Sequence, residues 1–238
     1  MLVERVGEPG ESLSVVGDEL RYLARVRRLA AGDSVEVGDA SGRRALAEIE
    51  RIDKKAAVLR SIRSLPDAPR AVPVHALAAV PKRRLFDDAV RRIGELGAER
   101  LTPLLTGRTV ALPGEDRVSR WRRIAAESLR QCGRATPLRV DSPTETDEAL
   151  RSADRDRLRL ILHTDPGLPS LMEELRRADP SLGVAVATGP EGGFEPEEVF
   201  RAEELGFVAV RLGPTVLRAE TAAVAATALA VAFAGGFE

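Results

Sequence analysis

Gly189-Pro190-Glu191-Gly192-Gly193-Phe194-Glu195-Pro196 stands between two elements of opposite kind. Before it runs Gly183-Val184-Ala185-Val186-Ala187-Thr188, an apolar stretch of strand length, and a helical spacing opens near Pro196. A strand that hands over through glycines to a helix is the unit from which parallel α/β sheets are built. The glycines also let a ligand approach the backbone closely and expose N–H groups to it. Two familiar nucleotide loops are excluded, since no Lys-Ser or Lys-Thr follows the glycines and the spacing is not G-x-G-x-x-G. On these residues alone, a ligand loop and an ordinary tight connection both stay open.

Further units of the same kind lie on either side. Strands are read at Val74 to Ala79, Arg100 to Leu105, Leu158 to His163 and Phe207 to Leu212, and helices at Lys82 to Leu96 and Glu115 to Cys132. In the first of these helices Leu85, Phe86, Ala89, Val90, Ile93 and Leu96 form one stripe, with Arg84/Asp88 and Asp88/Arg92 as i,i+4 pairs opposite. Trp121 and Cys132 share a stripe with Val118, Ile124, Ala125 and Ser128, so both read as core. His75 begins a buried strand and reads as a hydrogen-bonded core residue. The last helix, about Ala219 to Ala234, carries no charge after Glu220 and is apolar all round, so most of its surface requires cover. It is too short for a bilayer, which takes roughly 20 apolar residues. Cover from its own sheet and from a second copy of the chain would satisfy it.

Upstream the periodicity changes. Leu13 to Val16, Ser34 to Val37, Arg44 to Ile52 and Ala56 to Arg63 alternate as strands, separated by the turn residues Gly32-Asp33, Gly38 to Gly42 and Asp53-Lys54. Asp18 is placed to cap a helix through Leu20, Leu23 and Val26. A small β-barrel with one helix is expected, followed by a stiff linker from Leu65 to Pro73 that holds Pro66, Pro69 and Pro73. The domains are therefore drawn as residues 1–68 and 69–238.

Composition narrows the chemistry. With 44% hydrophobic residues in 238, the chain can build a core, and its formal net charge of −1 means that any nucleic-acid contact rests on local clusters. One cysteine and two histidines (Cys132, His75, His163) supply neither a four-ligand zinc site nor an internal disulfide, so no metal is expected. Met1 to Gly10 lacks the apolar region of a secretory signal, from which a cytoplasmic location and no membrane association are expected.

A second loop, Leu212-Gly213-Pro214-Thr215-Val216-Leu217-Arg218-Ala219-Glu220-Thr221-Ala222, again leaves a strand and enters a helix. Glu220 falls where a helix N-terminus favours negative charge. Arg218 stands beside apolar helices with few charges near it, which asks for an anionic partner. Together, Gly189-Pro190-Glu191-Gly192-Gly193-Phe194-x-Pro196-Glu197-Glu198 and the Leu212 to Ala222 stretch resemble the C-terminal signature of the RsmE family, the SPOUT-superfamily methyltransferases of uridine N3 in 16S ribosomal RNA. Weaker resemblances lie in Gly94-Glu95-Leu96-Gly97, Gln131-Cys132-Gly133-Arg134, Val26-Arg27-Arg28 and Gly32-Asp33, so nearly the whole chain is covered.

The resemblance implies an α/β architecture with an N-terminal PUA-like RNA-binding β-barrel and a C-terminal SPOUT domain, a parallel sheet with a trefoil knot. It implies S-adenosyl-L-methionine held by the loops after His163, Thr188 and Leu212, and so by Leu162, His163, Thr188, Gly189, Pro190, Gly192, Gly193, Leu212, Gly213, Val216 and Leu217. It also implies a homodimer acting on 16S rRNA or the small ribosomal subunit. Methylating uridine N3 requires loss of its weakly acidic proton. Glu191 is the candidate base, Arg218 the candidate for stabilising charge on the uracil, and Glu220 is grouped with them. Arg27, Arg28, Lys82, Arg83, Arg84, Gln131 and Arg134 are the candidates for holding RNA. The chain departs from the family pattern at Thr215, where Arg is usual, and at Ala219, Arg92 and Glu195, where Thr, Lys and a capping Ser are. A non-catalytic RNA-binding protein and a ribose methyltransferase of the same fold share most of these features.

Overall fold

A computed structural model of the chain describes all residues except Leu2, Ala40, 68–70, 82–84, Val110, Ala111, Gly133, Ala135, Pro180 and Glu238, and leaves out the side chains of Arg130 and Gln131. The described chain divides into two compact units, Met1–Arg70 with Cys132–Thr136, and Ala71–Gln131 with Pro137–Glu238.

In the first unit β1 (Ser12–Val15), β2 (Ser34–Gly38), β3 (Arg44–Ile52) and β4 (Ala57–Leu65) form an antiparallel sheet in the order β1-β4-β3-β2. Alternation sets its inner face: Ala45, Ala47 and Ile49 of β3 are buried with Ala57 and Leu59 of β4, Val37 and Val15. The β3–β4 turn is held by Asp53, whose Oδ1 accepts from the N–H of Lys55 (2.7 Å) and Ala56 (3.0 Å). Before β1, the first residues pair with the opposite edge, Val3 N–H donating to Gly38 O (2.8 Å) and Gly38 N–H to Met1 O (2.9 Å). One segment thus spans from β2 to β1, giving a four-stranded sheet a barrel-like closure.

The helix of this unit departs from expectation. It runs as α1 (Gly17–Arg21) and continues as a π-helical turn over Tyr22–Arg27, ending at Arg28 in the left-handed region (φ 55°). Asp18 does not cap it: Val16 holds the cap position, and Asp18 lies inside the first turn, 3.1 Å from Arg21. Widening to i→i+5 bonds rotates later positions off the expected stripe, so Leu20 and Leu23 are buried while Val26 is 68% exposed.

The second unit is a parallel sheet in the order β11-β9-β10-β5-β6-β7, with β8 beside β6. Its strands are β5 (Val72–Ala79), β6 (Ala98–Leu105), β7 (Arg139–Val140), β8 (Thr144–Glu145), β9 (Leu158–Leu162), β10 (Val184–Thr188) and β11 (Val208–Val210). Successive residues face opposite layers. Val74, Ala76, Ala78, Val184 and Val186 pack with α2 (Leu85–Leu96), α3 (Glu115–Cys132) and α7 (Ala219–Phe233), whereas Leu77, Ala79, Ala185 and Ala187 join Leu150 of α4 (Thr146–Arg151) and Ala202 of α6 (Pro196–Glu204). Pro73, read as part of the linker, lies inside β5, where the register with β6 is irregular between Val72 and His75. A residue without an N–H is tolerated at such an irregularity.

Asp88 pairs with Arg91 (2.7 Å) rather than with Arg92, and Arg84 lies outside the described residues. On α3, Trp121 is fully buried and donates from Nε1 to Asp87 Oδ1 (2.9 Å), which ties α3 to the start of α2. The short strands β7 and β8 were not foreseen, nor were two short helices, α4 and α5 (Leu171–Arg177). The second carried a readable signal, since Ser170 and Glu173 form a capping box. Helix α7 packs on α2, α5, β5 and β10 through Ala219, Ala223, Ala226, Ala230 and Val231, and leaves Val224, Leu229 and Phe233 half-buried. Among the described residues no helix is long and apolar enough to cross a membrane.

At the opposite end of β5 from the glycine loops, His75 Nε2 lies 2.8 Å from Thr102 Oγ1, and the Thr102 hydroxyl donates to Asp141 Oδ2 (2.6 Å). Because that hydroxyl proton is committed to Asp141, the His75 nitrogen carries the hydrogen and donates. Arg100 and Arg139 complete the shell of Asp141 at 2.6 and 3.1 Å. Burial, then the charge of Arg100, holds the His75 imidazole down at about 3.

Candidate active site

Strands β11, β9 and β10 are adjacent and parallel, so the three connections that follow them leave the sheet at one edge. Ligands of open α/β sheets lie in such positions. Here the connections enclose a cavity of about 340 Å³, lined among others by Leu162, His163 and Thr164 after β9, Thr188 to Phe194 after β10, and Leu212 to Leu217 after β11. The first turn of α7 adds Ala219 and Ala222, and Arg108 reaches it from the loop after β6.

Local chemistry explains each wall. After β10 the chain makes a tight turn, Gly193 N–H donating to Pro190 O (2.8 Å) with Gly193 at φ +74°. Gly189 allows the turn to fold back: a Cβ there would come within 3.0 Å of Phe194 N and 3.2 Å of Gly193 C. Phe194, almost fully buried, fastens the loop to the core beneath. The other two walls are joined to one another. Leu171 N–H donates to Arg211 O (2.8 Å), Arg211 N–H to Pro169 O (2.9 Å), and Arg211 Nε to Leu168 O (3.0 Å). His163 Nδ1 accepts from Asp165 N–H (3.2 Å), which leaves Nε2 as its other ring nitrogen.

All the residues that the resemblance assigned to the methyl donor line this cavity, and so does Glu191. Arg218 and Glu220 do not. Arg218 is the exposed residue immediately before α7, and Glu220 lies in the helix's first turn, where a carboxylate is favoured by the N-terminal dipole. Of the RNA candidates, Arg27 and Arg28 are exposed at the end of the π-helical turn of the first unit. Arg134 has Nε and Nη1 buried without a hydrogen-bond partner among the described residues, and burial lowers its pKa. Lys82, Arg83, Arg84 and the side chain of Gln131 lie outside the described residues.

Sequence reasoning missed Arg108. The loop Thr106–Thr109 is built by its own threonines, Thr106 N–H donating to Thr109 Oγ1 (2.8 Å) and Thr109 N–H to Thr106 O (2.9 Å). From below, Glu198 Oε1 accepts from Gly107 N–H (3.2 Å) and from Thr146 Oγ1 (2.9 Å), while its Oε2 accepts from Glu195 N–H (2.8 Å). The buried Glu198 therefore locks the α6 N-terminus, the α4 N-terminus and the Arg108 loop together. The capping role left open by the absent serine is met by this Glu195–Glu198 pair.

The RNA methyltransferase domain family matches residues 68–231, and the RNA methyltransferase PUA domain family matches residues 17–60. Together with the parallel sheet, these define an RNA methyltransferase of the SPOUT type with a PUA-like N-terminal unit. Ribosomal RNA small subunit methyltransferase E of Synechocystis is 34% identical over 88% of this chain and 69% of its own, and that of Mycobacterium tuberculosis is 32% identical over 94% and 87%. A protein from Legionella pneumophila, solved with the cofactor S-adenosylmethionine bound, superposes with a TM-score of 0.84 at 28% identity over 97% of this chain and 96% of its own. The fold is also that of ribosomal RNA small subunit methyltransferase E from Neisseria gonorrhoeae (TM-score 0.86, 23% identity, 97% and 95% covered). The chain belongs to the ribosomal RNA small subunit methyltransferase E family.

Proposed function

We propose that the protein binds S-adenosyl-L-methionine in the 340 Å³ cavity and methylates N3 of a uridine in 16S ribosomal RNA. The observation that carries this reading is the convergence of three separate connections, after β9, β10 and β11, on one space. The volume falls within the range of small-molecule sites, roughly 300 to 1,000 Å³. The lining suits the donor: apolar Leu162, Pro190, Val216, Leu217 and Ala222 offer surface to an adenosine, and open space lies beside the Cα atoms of Gly193 and Gly213. When bound, the donor supplies an electrophilic methyl carbon on a sulfonium, transferred as the acceptor nitrogen's electron pair forms the new C–N bond and the C–S pair stays on sulfur.

The chain's own residues orient the acceptor and move one proton. Glu191, exposed on the cavity wall, takes the N3 proton on a carboxylate oxygen and releases it to water. Arg27, Arg28 and Arg134, with Lys82, Arg83, Arg84 and Gln131, hold RNA phosphates. Within this reading the enzyme is a cytoplasmic homodimer, the half-buried face of α7 covered by its partner, and the second unit threads as a trefoil knot. Calorimetric titration with S-adenosylmethionine, followed by nucleoside mass spectrometry of 16S RNA after reaction, tests the core of it. The expected product is 3-methyluridine. A 2′-O-methylnucleoside, or no donor binding, would overturn it.

A further inference from the structure

The proposed reaction builds negative charge on the uracil ring, and the cavity needs a cation to face it. Among its described lining residues only Arg108 carries a permanently charged basic side chain. Arg218, singled out by sequence, is not in the lining. Arg108 is also held in place before any substrate arrives. Its loop is fixed by the Thr106–Thr109 bonds and by Glu198 beneath Gly107. Its Nη1 donates to the carbonyl of Gly192, another lining residue, its one side-chain hydrogen bond among the described residues. Gly192 is shaped for this approach, since a Cβ there would lie 3.1 Å from both Cδ and Nη1 of Arg108. A guanidinium has five N–H donors in a rigid plane, so one contact to Gly192 leaves donors for a second acceptor. Glu191, the neighbour of Gly192, stands on the same wall.

Resting on the methyltransferase reading above, we propose that Arg108 is a catalytic residue that stabilises the deprotonated uracil by donating to a ring carbonyl oxygen. The N3–H bond breaks, its electron pair stays on the ring and spreads onto the carbonyl oxygens, and the proton passes to the Glu191 carboxylate. A fixed donor aimed at developing oxyanion charge contributes about 100- to 1,000-fold in rate. Lysine at this position supplies charge without the planar fork and restores only part of that factor.

The test uses the full chain as wild type, Arg108→Ala and Arg108→Lys, with labelled S-adenosylmethionine and 16S RNA transcribed with uridine or with the more acidic 5-fluorouridine. At pH 7, Arg108→Ala should slow single-turnover methylation of uridine RNA about 100- to 1,000-fold, with the lysine variant in between. The deficit should shrink at pH 9 and on 5-fluorouridine RNA, where the ring ionises more readily. Donor affinity by calorimetry and the thermal midpoint should not move. Without donor, wild type should bind the 5-fluorouridine RNA more tightly than Arg108→Ala at pH 9, and the two should converge at pH 6. A deficit that is equal at every pH and on both RNAs, or one below threefold, overturns the assignment. If wild type itself transfers no methyl to RNA, the underlying reading fails, and this assignment with it.

Discussion

His75 gives the second unit a titration that can be calculated. The side chain is 2% exposed, and burial holds its pKa at about 3 against an ordinary value of 6.5. In the unfolded chain the imidazole takes up a proton as pH falls through 6.5, while the folded chain refuses it until about 3. The unfolded state therefore binds more protons within that window, and stability is full above pH 6.5 and declines as pH falls below it. Between pH 7.5 and 5.5 the difference is about 1.4 kcal/mol, or about one decade in the folded-to-unfolded ratio. In urea this lowers the midpoint by on the order of 0.5 to 1.4 M, taking a slope of roughly 1 to 3 kcal/mol/M. Trp121, the single tryptophan, is buried in the same unit, so its fluorescence follows the relevant transition. Asp141 and Glu173, each held below its ordinary value of 3.8 or 4.5, titrate beneath this window. His75→Gln keeps a donor for Thr102 and removes the titration, so its midpoint should lose the drop between pH 7.5 and 5.5, whatever its absolute stability. An equal drop in both proteins would refute the reasoning.

Gly189→Ala forces a Cβ to within 3.0 Å of Phe194 N, and the turn must open to relieve it. The dissociation constant of S-adenosylmethionine should rise about tenfold by calorimetry, corresponding to roughly 1.4 kcal/mol. Gly206→Ala is the matched control: its φ of +81° and a Cβ 2.7 Å from Arg159 Nη2 impose similar strain away from the cavity, so the thermal midpoint should fall with donor affinity unchanged. Asp87→Ala leaves the Trp121 Nε1–H buried without its acceptor, which should cost about 1 to 3 kcal/mol in denaturant unfolding. Glu191→Gln should slow single-turnover methylation about 100-fold at neutral pH, in the range of general-base removal, whereas Arg218→Ala, lying off the cavity lining, should change it less than tenfold.

The strand-loop-helix grammar was readable in the second unit because the strands carry continuous apolar runs and the helices a clear stripe, each set by burial on known faces. Pro73 misled because a proline reads as a stop, and only the β5–β6 register shows that the missing N–H falls at an irregularity. The π-helical turn at Tyr22–Arg27 was invisible, since spacing arguments assume the α period. For the site, the glycine loops announced themselves through composition. Arg108 did not, being one arginine among many in a short loop, and its placement depends on Glu198, which is 90 residues later and reads as a plain first-turn acid. Long-range hydrogen bonds of that kind leave no periodic trace.

The strand order also fixes when a cavity exists during synthesis. Its walls need β11 docked outside β9 and the first turn of α7 folded back, so the enclosure is finished only after the stretch from Leu212 to Ala222 has been made. A nascent chain lacking that stretch has no complete pocket, and a small molecule fitted to it cannot assist the slow, long-range closure that comes before. Ligand occupancy thus becomes a certificate that the second unit has been made and assembled as far as the start of α7.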